Sequence, residues 1–140
     1  GSSRVGLDWL NLPLEDELRA VPCSLPTGMP AITSTVEFDT IAREWRCKWS
    51  ADDDKKSLDA VQAIIAKKVP ELKAVTGVKS VQRVVCGGCL DYKLVTAVEA
   101  DKFGDFESGG FCGEAAVLEE LTAVPGVSVV ETQTYTLMPM

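Results

Sequence analysis

No histidine occurs anywhere in this 140-residue chain. Chemistry that depends on an imidazole, as general base or as a haem ligand, is therefore excluded. Cations are also in short supply: 14 Lys and Arg stand against 21 Asp and Glu, a formal charge of −7. Phosphate recognition needs clustered Lys and Arg, so no nucleic-acid partner is expected. Apolar runs are too short to cross a bilayer, and no membrane span is expected. Nor is there a basic n-region followed by an apolar h-region, as a signal peptide would have. The chain opens on Gly1-Ser2-Ser3 instead of Met, the start of a cloned or processed product, and Met29 before Pro30-Ala31 is an alternative start. The expected location is soluble, in the cytoplasm or inside an organelle after removal of a targeting peptide.

What remains is the composition of an ordinary soluble domain, 46% hydrophobic and 25% charged, at a length that buries a single core. Residues 1–35 stand apart as an N-terminal arm and Pro-rich linker. Leu7, Trp9, Leu10, Leu12 and Leu14 form an apolar cluster, and Pro13 suits entry to a short helix from Leu14 to Val21. Pro22 to Thr35 carries three prolines and reads as extended. The arm is either a loose tail or a segment whose Trp9 and leucines dock on the body, on a neighbouring copy or on a protein partner.

Residues 36–140 form the body. Trp45, Cys47 and Trp49 alternate with Glu44, Arg46 and Lys48, the period of a strand with one apolar face. Ser50 then caps a helix that has Asp52, Asp53 and Asp54 in its first turn. Its buried stripe is Leu58, Val61, Ile65, Val69 and Leu72, and Pro70 is expected to kink or end it. Val78 to Cys86 and Leu90 to Ala100 read as strands joined by a two-residue Gly87-Gly88 turn. Residues 101–113 read as a glycine-rich loop carrying Phe103, Phe106 and Phe111, followed by a helix from Gly113 to Ala123 and a strand from Val127 to Met138. One phrase occurs twice: Ala74-Val75-Thr76-Gly77-Val78 returns as Ala123-Val124-Pro125-Gly126-Val127, each time between helix and strand. The predicted order is βαββαβ, a ferredoxin-like α+β domain whose four-stranded antiparallel sheet has two helices on one face. The other face must meet solvent, the arm or a second copy.

The Trp45-Arg46-Cys47-Lys48-Trp49 strand with its acidic helix start, the Thr76-Gly77-Val78-Lys79-Ser80-Val81 junction, and Val124-Pro125-Gly126-Val127 with Val130-Glu131 give the body its family likeness. Over residues 36–140 it resembles the dimeric α+β barrel proteins, in particular the stress-responsive, Dabb-like group. That resemblance implies a homodimer whose sheets pack face to face around a pocket. Enzymes of the superfamily tend to use histidine, so the resemblance carries the fold to this chain and not the catalytic roles.

Candidate chemistry is sparse. Trp45, Trp49, Tyr92, Phe103, Phe106, Phe111, Gln133 and Tyr135 are the expected ligand-binding residues, with the phenylalanines as a lid or as a plug for the barrel end. Tyr92 and Tyr135 are the candidate acid–base groups. Cys86 and Cys89 are a candidate redox or metal pair: a two-residue turn would set them opposite each other within disulfide range, whereas a zinc site would need two further ligands, and the remaining alternative is a pair of reduced thiols. Cys47 reads as ordinary core, and five cysteines make an odd number for a disulfide framework. No cofactor is implied. Three functions follow: a non-catalytic dimeric barrel acting as a binding or assembly module, a cofactor-independent cyclase or oxygenase acting on a hydrophobic substrate, or a thiol-redox or metal-responsive protein.

Overall fold

A computed structural model describes residues 29–140. The Leu14–Val21 helix and the docking of Trp9 lie outside the described residues. Part of the expected extended linker is instead a small hairpin, β1 (Ala31–Thr33) against β2 (Val36–Glu37), tied to the body by the Phe38 N–H donating to the Pro30 carbonyl at 3.0 Å.

The body runs β3 (Thr40–Lys48), α1 (Asp52–Lys73), β4 (Val78–Cys86), β5 (Asp91–Glu99), a 3₁₀ turn (Ala100–Lys102), α2 (Phe103–Ser108), α3 (Gly110–Thr122) and β6 (Ser128–Leu137). Its sheet has the order β4-β5-β3-β6, every pair antiparallel. This is the βαββαβ ferredoxin-like arrangement that the alternating residues predict.

Register decides what each face carries. Trp45 sits opposite Leu94 and Thr132, and Cys47 opposite Tyr92. Residues of that parity, Ile41, Trp45, Cys47, Tyr92, Leu94 and Val98, pack under Val61, Ile65 and Leu72 of α1 and Val117 and Leu121 of α3. Side chains of this kind contribute about 1.5–3 kcal/mol each on full burial, and this layer is the core. The opposite parity, Glu44, Arg46, Lys48, Lys93, Val95, Glu131, Gln133 and Tyr135, forms a second face, against which no helix among the described residues packs.

The repeated phrase has a structural counterpart. Val75 N–H donates to the Leu72 carbonyl at 3.1 Å and Val124 N–H to that of Leu121 at 3.1 Å. Val78 and Val127 then donate to Val75 and Val124, at 3.2 and 3.1 Å. Gly77 and Gly126 both take φ of +93°, a left-handed conformation that glycine adopts without penalty. The two halves therefore leave helix for strand through the same turn.

Four local expectations need correction. Residues 101–113 are mostly helical instead of a loop, because Phe103 and Phe106, three apart, both insert into the core. Pro70 neither ends nor kinks α1 at its position; it stands in the last turn, and the helix continues to Lys73. The acidic start is not a regular first turn: Asp53, Asp54 and Lys55 are left-handed, and Ala51 occupies the cap, while the Ser50 hydroxyl accepts from the Asp52 N–H at 3.1 Å. Finally, Cys86 pairs with Asp91, so the β4–β5 connection has four residues instead of two. Leu90 turns left-handed (φ +59°) and gives its carbonyl to Trp49 of the neighbouring strand. Cys86 and Cys89 consequently lie in one turn and not opposite each other.

Candidate functional site

Between α1 and the outer strand β4 runs an open cleft of about 420 Å³. Ile65, Val69, Val81 and Leu94 form its apolar walls, and Gln62, Arg83 and Tyr92 its polar end. The Tyr92 hydroxyl donates to Gln62 Oε1 at 2.7 Å, and Arg83 Nη1 donates to the same oxygen at 3.2 Å. One carbonyl oxygen on the helix thus gathers a phenol and a guanidinium from two strands. Burial pushes the Tyr92 phenol up to about 12, so it is neutral and a hydrogen-bond donor at physiological pH. No carboxylate or thiol lines the cleft. Its chemistry is that of recognition: apolar area, one cation and three neutral polar groups, Gln62, Gln82 and Tyr92.

A second polar cluster lies under α3. Arg43 forks onto Glu114, Nε to Oε2 at 2.7 Å and Nη2 to Oε1 at 2.9 Å, and also reaches Thr134 and Thr132 of β6 at 2.8 and 3.0 Å. Trp45 Nε1 donates to the same carboxylate at 2.7 Å. Both ion-pair members are mostly buried, at 16% and 13% side-chain exposure. Arg43 also stacks over the Phe111 ring at 4.1 Å. Phe103, Phe106 and Phe111 contact one another at 5.4–6.0 Å between ring centres, closing that end of the core.

On the second face Tyr135 donates to Glu44 Oε1 at 2.9 Å, with Glu44 itself buried. Burial, reinforced by that carboxylate, pushes the Tyr135 phenol up to about 12. Arg46 bridges Glu131 and Asp91 at 2.8 and 2.9 Å, and Lys48 joins Asp91 at 3.1 Å. Lys48 above all, then Arg46, holds the Asp91 carboxyl below the usual range. Arg46 Nε is shielded from solvent without a hydrogen-bond partner.

The sequence-predicted residues are thus dispersed. Tyr92 reaches the cleft. Trp45 sits in the core beneath α3, Phe103 and Phe106 insert into it from α2, Phe111 of α3 packs against it half-buried, and Trp49 is buried with its indole donating to the Asp91 carbonyl at 3.1 Å. Gln133 and Tyr135 lie on the second face. Gln62, Arg83, Arg43 and Glu114 were not anticipated, although two signals were available. Arg83 shares the parity of Val81 and Val85, and Thr132, Thr134 and Thr136 put a polar row on the covered face of β6. Among the described residues no cluster of three or more His, Cys, Asp or Glu is placed to hold a metal ion.

No protein-family model matches the chain, and no curated protein matches it in sequence. Solved structures do match its shape. The monooxygenase ActVA-Orf6 of Streptomyces coelicolor, in complex with nanaomycin D, superposes with a TM-score of 0.53 at 13% identity, over 74% of this chain and 90% of its own. A Nitrosomonas europaea protein of unknown function superposes with a TM-score of 0.51 at 14% identity, over 74% and 93%. The likeness shows the fold, a ferredoxin-like α+β domain. Within this α+β domain the cleft, the Arg43–Glu114 cluster and the second face are separate places, and of these three the cleft offers open volume flanked by both apolar and polar groups. No helix among the described residues is long and apolar enough to cross a membrane.

Proposed function

We propose that the chain is a non-catalytic binding module, a homodimer through its second sheet face, that takes a small, largely apolar ligand with an anionic or carbonyl group in the cleft between α1 and β4. The observation that carries this reading is the pairing of four apolar wall residues with Arg83, Gln62 and Tyr92 at one end. A guanidinium and a neutral phenol suit an oxygen acceptor on the ligand. With its phenol pushed up to about 12, Tyr92 stays a neutral donor near pH 7. The dimer is supported by the uncovered face, where Arg46 Nε is shielded without a partner and Val84 is 45% exposed.

The test is titration with 1-anilinonaphthalene-8-sulfonate, an apolar anion, and with nanaomycin D, the ligand bound to ActVA-Orf6. One site per protomer is expected, weakened about tenfold by Arg83→Gln, the loss of one charge-assisted hydrogen bond, and abolished by Val69→Trp. Binding unchanged by both substitutions would overturn the cleft as the site. Native mass spectrometry checks the dimer separately.

A second reading, a cofactor-independent oxygenase, draws support from the likeness in fold to a monooxygenase. It would use Tyr92 or Tyr135 as hydrogen-bond donor to a hydrophobic substrate. Oxygen uptake with a phenolic substrate that survives in a Tyr92→Phe, Tyr135→Phe double variant would remove both from that role.

A further inference from the structure

The β4–β5 turn holds a pair of cysteines that the cleft does not use. Cys89 N–H donates to Cys86 Sγ at 3.1 Å, so the turn folds the second cysteine back onto the sulfur of the first. Cys86 is half-buried at the end of β4, and Cys89 is exposed. Gly87 and Gly88, between them, have no atoms within 4 Å of where a Cβ would stand. The turn is thus open to an incoming group and free to tighten. Its far side is anchored: Lys48 Nζ donates to the Cys89 carbonyl at 2.8 Å, and Trp49 donates to the carbonyls of Leu90 and Asp91 at 2.9 and 3.1 Å.

We propose that Cys86 and Cys89 form a thiol–disulfide exchange site, with Cys86 as the attacking sulfur and Cys89 as the resolving one. This stands independently of the cleft. The asymmetry of the turn sets the roles. Cys86 sulfur receives the Cys89 thiol and the backbone N–H groups of Cys89 and Gly88, which lower its pKa, whereas the neighbouring Cys86 raises that of Cys89. A thiolate is the nucleophile, and donors aimed at the sulfur favour it. Cys47 is the contrast: buried on the covered face, its thiol is pushed up to about 11.

The oxidant is a low-molecular-weight disulfide, with glutathione disulfide as the probe. The Cys86 thiolate attacks one of its sulfurs; a Cys86–glutathione bond forms, the original disulfide breaks, and the first glutathione leaves as thiolate. Cys89 then gives up its proton and attacks Cys86 Sγ. The Cys86–Cys89 bond forms, the mixed disulfide breaks, and the second glutathione leaves. Two electrons pass from the protein thiols to the glutathione pair, which takes up the two protons.

The full chain treated with glutathione disulfide, followed by peptide mapping, tests this. The expected product is an intramolecular Cys86–Cys89 disulfide without a retained adduct. Cys89→Ser should instead stop with one glutathione on Cys86, and Cys86→Ser should leave Cys89 unmodified over the same period. Iodoacetamide at neutral pH should label Cys86 about tenfold faster than Cys89. Equal labelling of the two, adducts confined to other cysteines, or a Cys89→Ser variant without an adduct on Cys86 would each overturn the assignment.

Discussion

The two faces of the sheet have the same backbone and opposite uses. Beneath the helices, Trp45 is 2% exposed, and each of its polar neighbours has a defined partner. On the other face the residues between them in sequence are charged, linked by ion pairs and partly open, with Glu131 at 56% side-chain exposure. Stability is therefore concentrated on one face, while the other can change its chemistry at little cost to the fold.

The largest test of that asymmetry is a matched pair of truncations. Trp45→Ala should cost about 3–5 kcal/mol in urea unfolding, and also leaves Glu114 one donor short. Val84→Ala on the second face should cost the protomer less than about 0.5 kcal/mol, measured at concentrations below dimer assembly. Similar values for the two would show that the second face is as well packed as the first.

Charge gives a sharper comparison at smaller magnitude. Glu114→Gln, which leaves Arg43 without its carboxylate in a mostly buried setting, should destabilise by about 2–3 kcal/mol, and an Arg43→Met, Glu114→Leu double variant should recover much of that. Glu131→Gln, removing one partner of Arg46 at the surface, should cost under about 1 kcal/mol.

Alkaline pH probes both faces through their tyrosines. An unfolded phenol titrates near 10, and Tyr92 and Tyr135 titrate at about 12 in the fold. A raised folded pKa stabilises fully below the unfolded value and loses that contribution as pH climbs through the folded one, so stability should fall between pH 10 and 12. For Tyr92 the loss is on the order of 2 kcal/mol. Tyr92→Phe should flatten that part of the pH–stability curve measured by thermal unfolding.

Much of the fold was legible because period-two alternation in residues 44–49 and 90–98 and the repeated Gly-Val junction are local signals. The helical stripe of Val61, Ile65 and Leu72 was legible for the same reason. The helix at 103–108 was hidden because glycine-rich composition reads as loop, while the burial of Phe103 and Phe106, which overrides it, is a tertiary effect. The cleft was hidden more completely. Gln62 and Arg83 are 21 residues apart, and Arg43 and Glu114 are 71 apart. Only the pairing of strands and the placement of helices brings such residues together. The cysteine turn failed for a geometric reason: a Gly-Gly pair permits a two-residue hairpin, but the register of Cys86 with Asp91 lengthens it.

The anchoring of the β4–β5 turn has an optical consequence. Trp49 holds that turn by its backbone N–H and by its indole N–H, at 2.9 and 3.1 Å, while itself buried. Tightening around Cys86 and Cys89 would take place beside those two bonds, and indole emission responds to its hydrogen bonding and surroundings. The protein therefore carries an intrinsic fluorophore beside its own thiol pair, and the part of a stopped-flow emission trace that is lost on Trp49→Phe would time the closing of that turn without any added label.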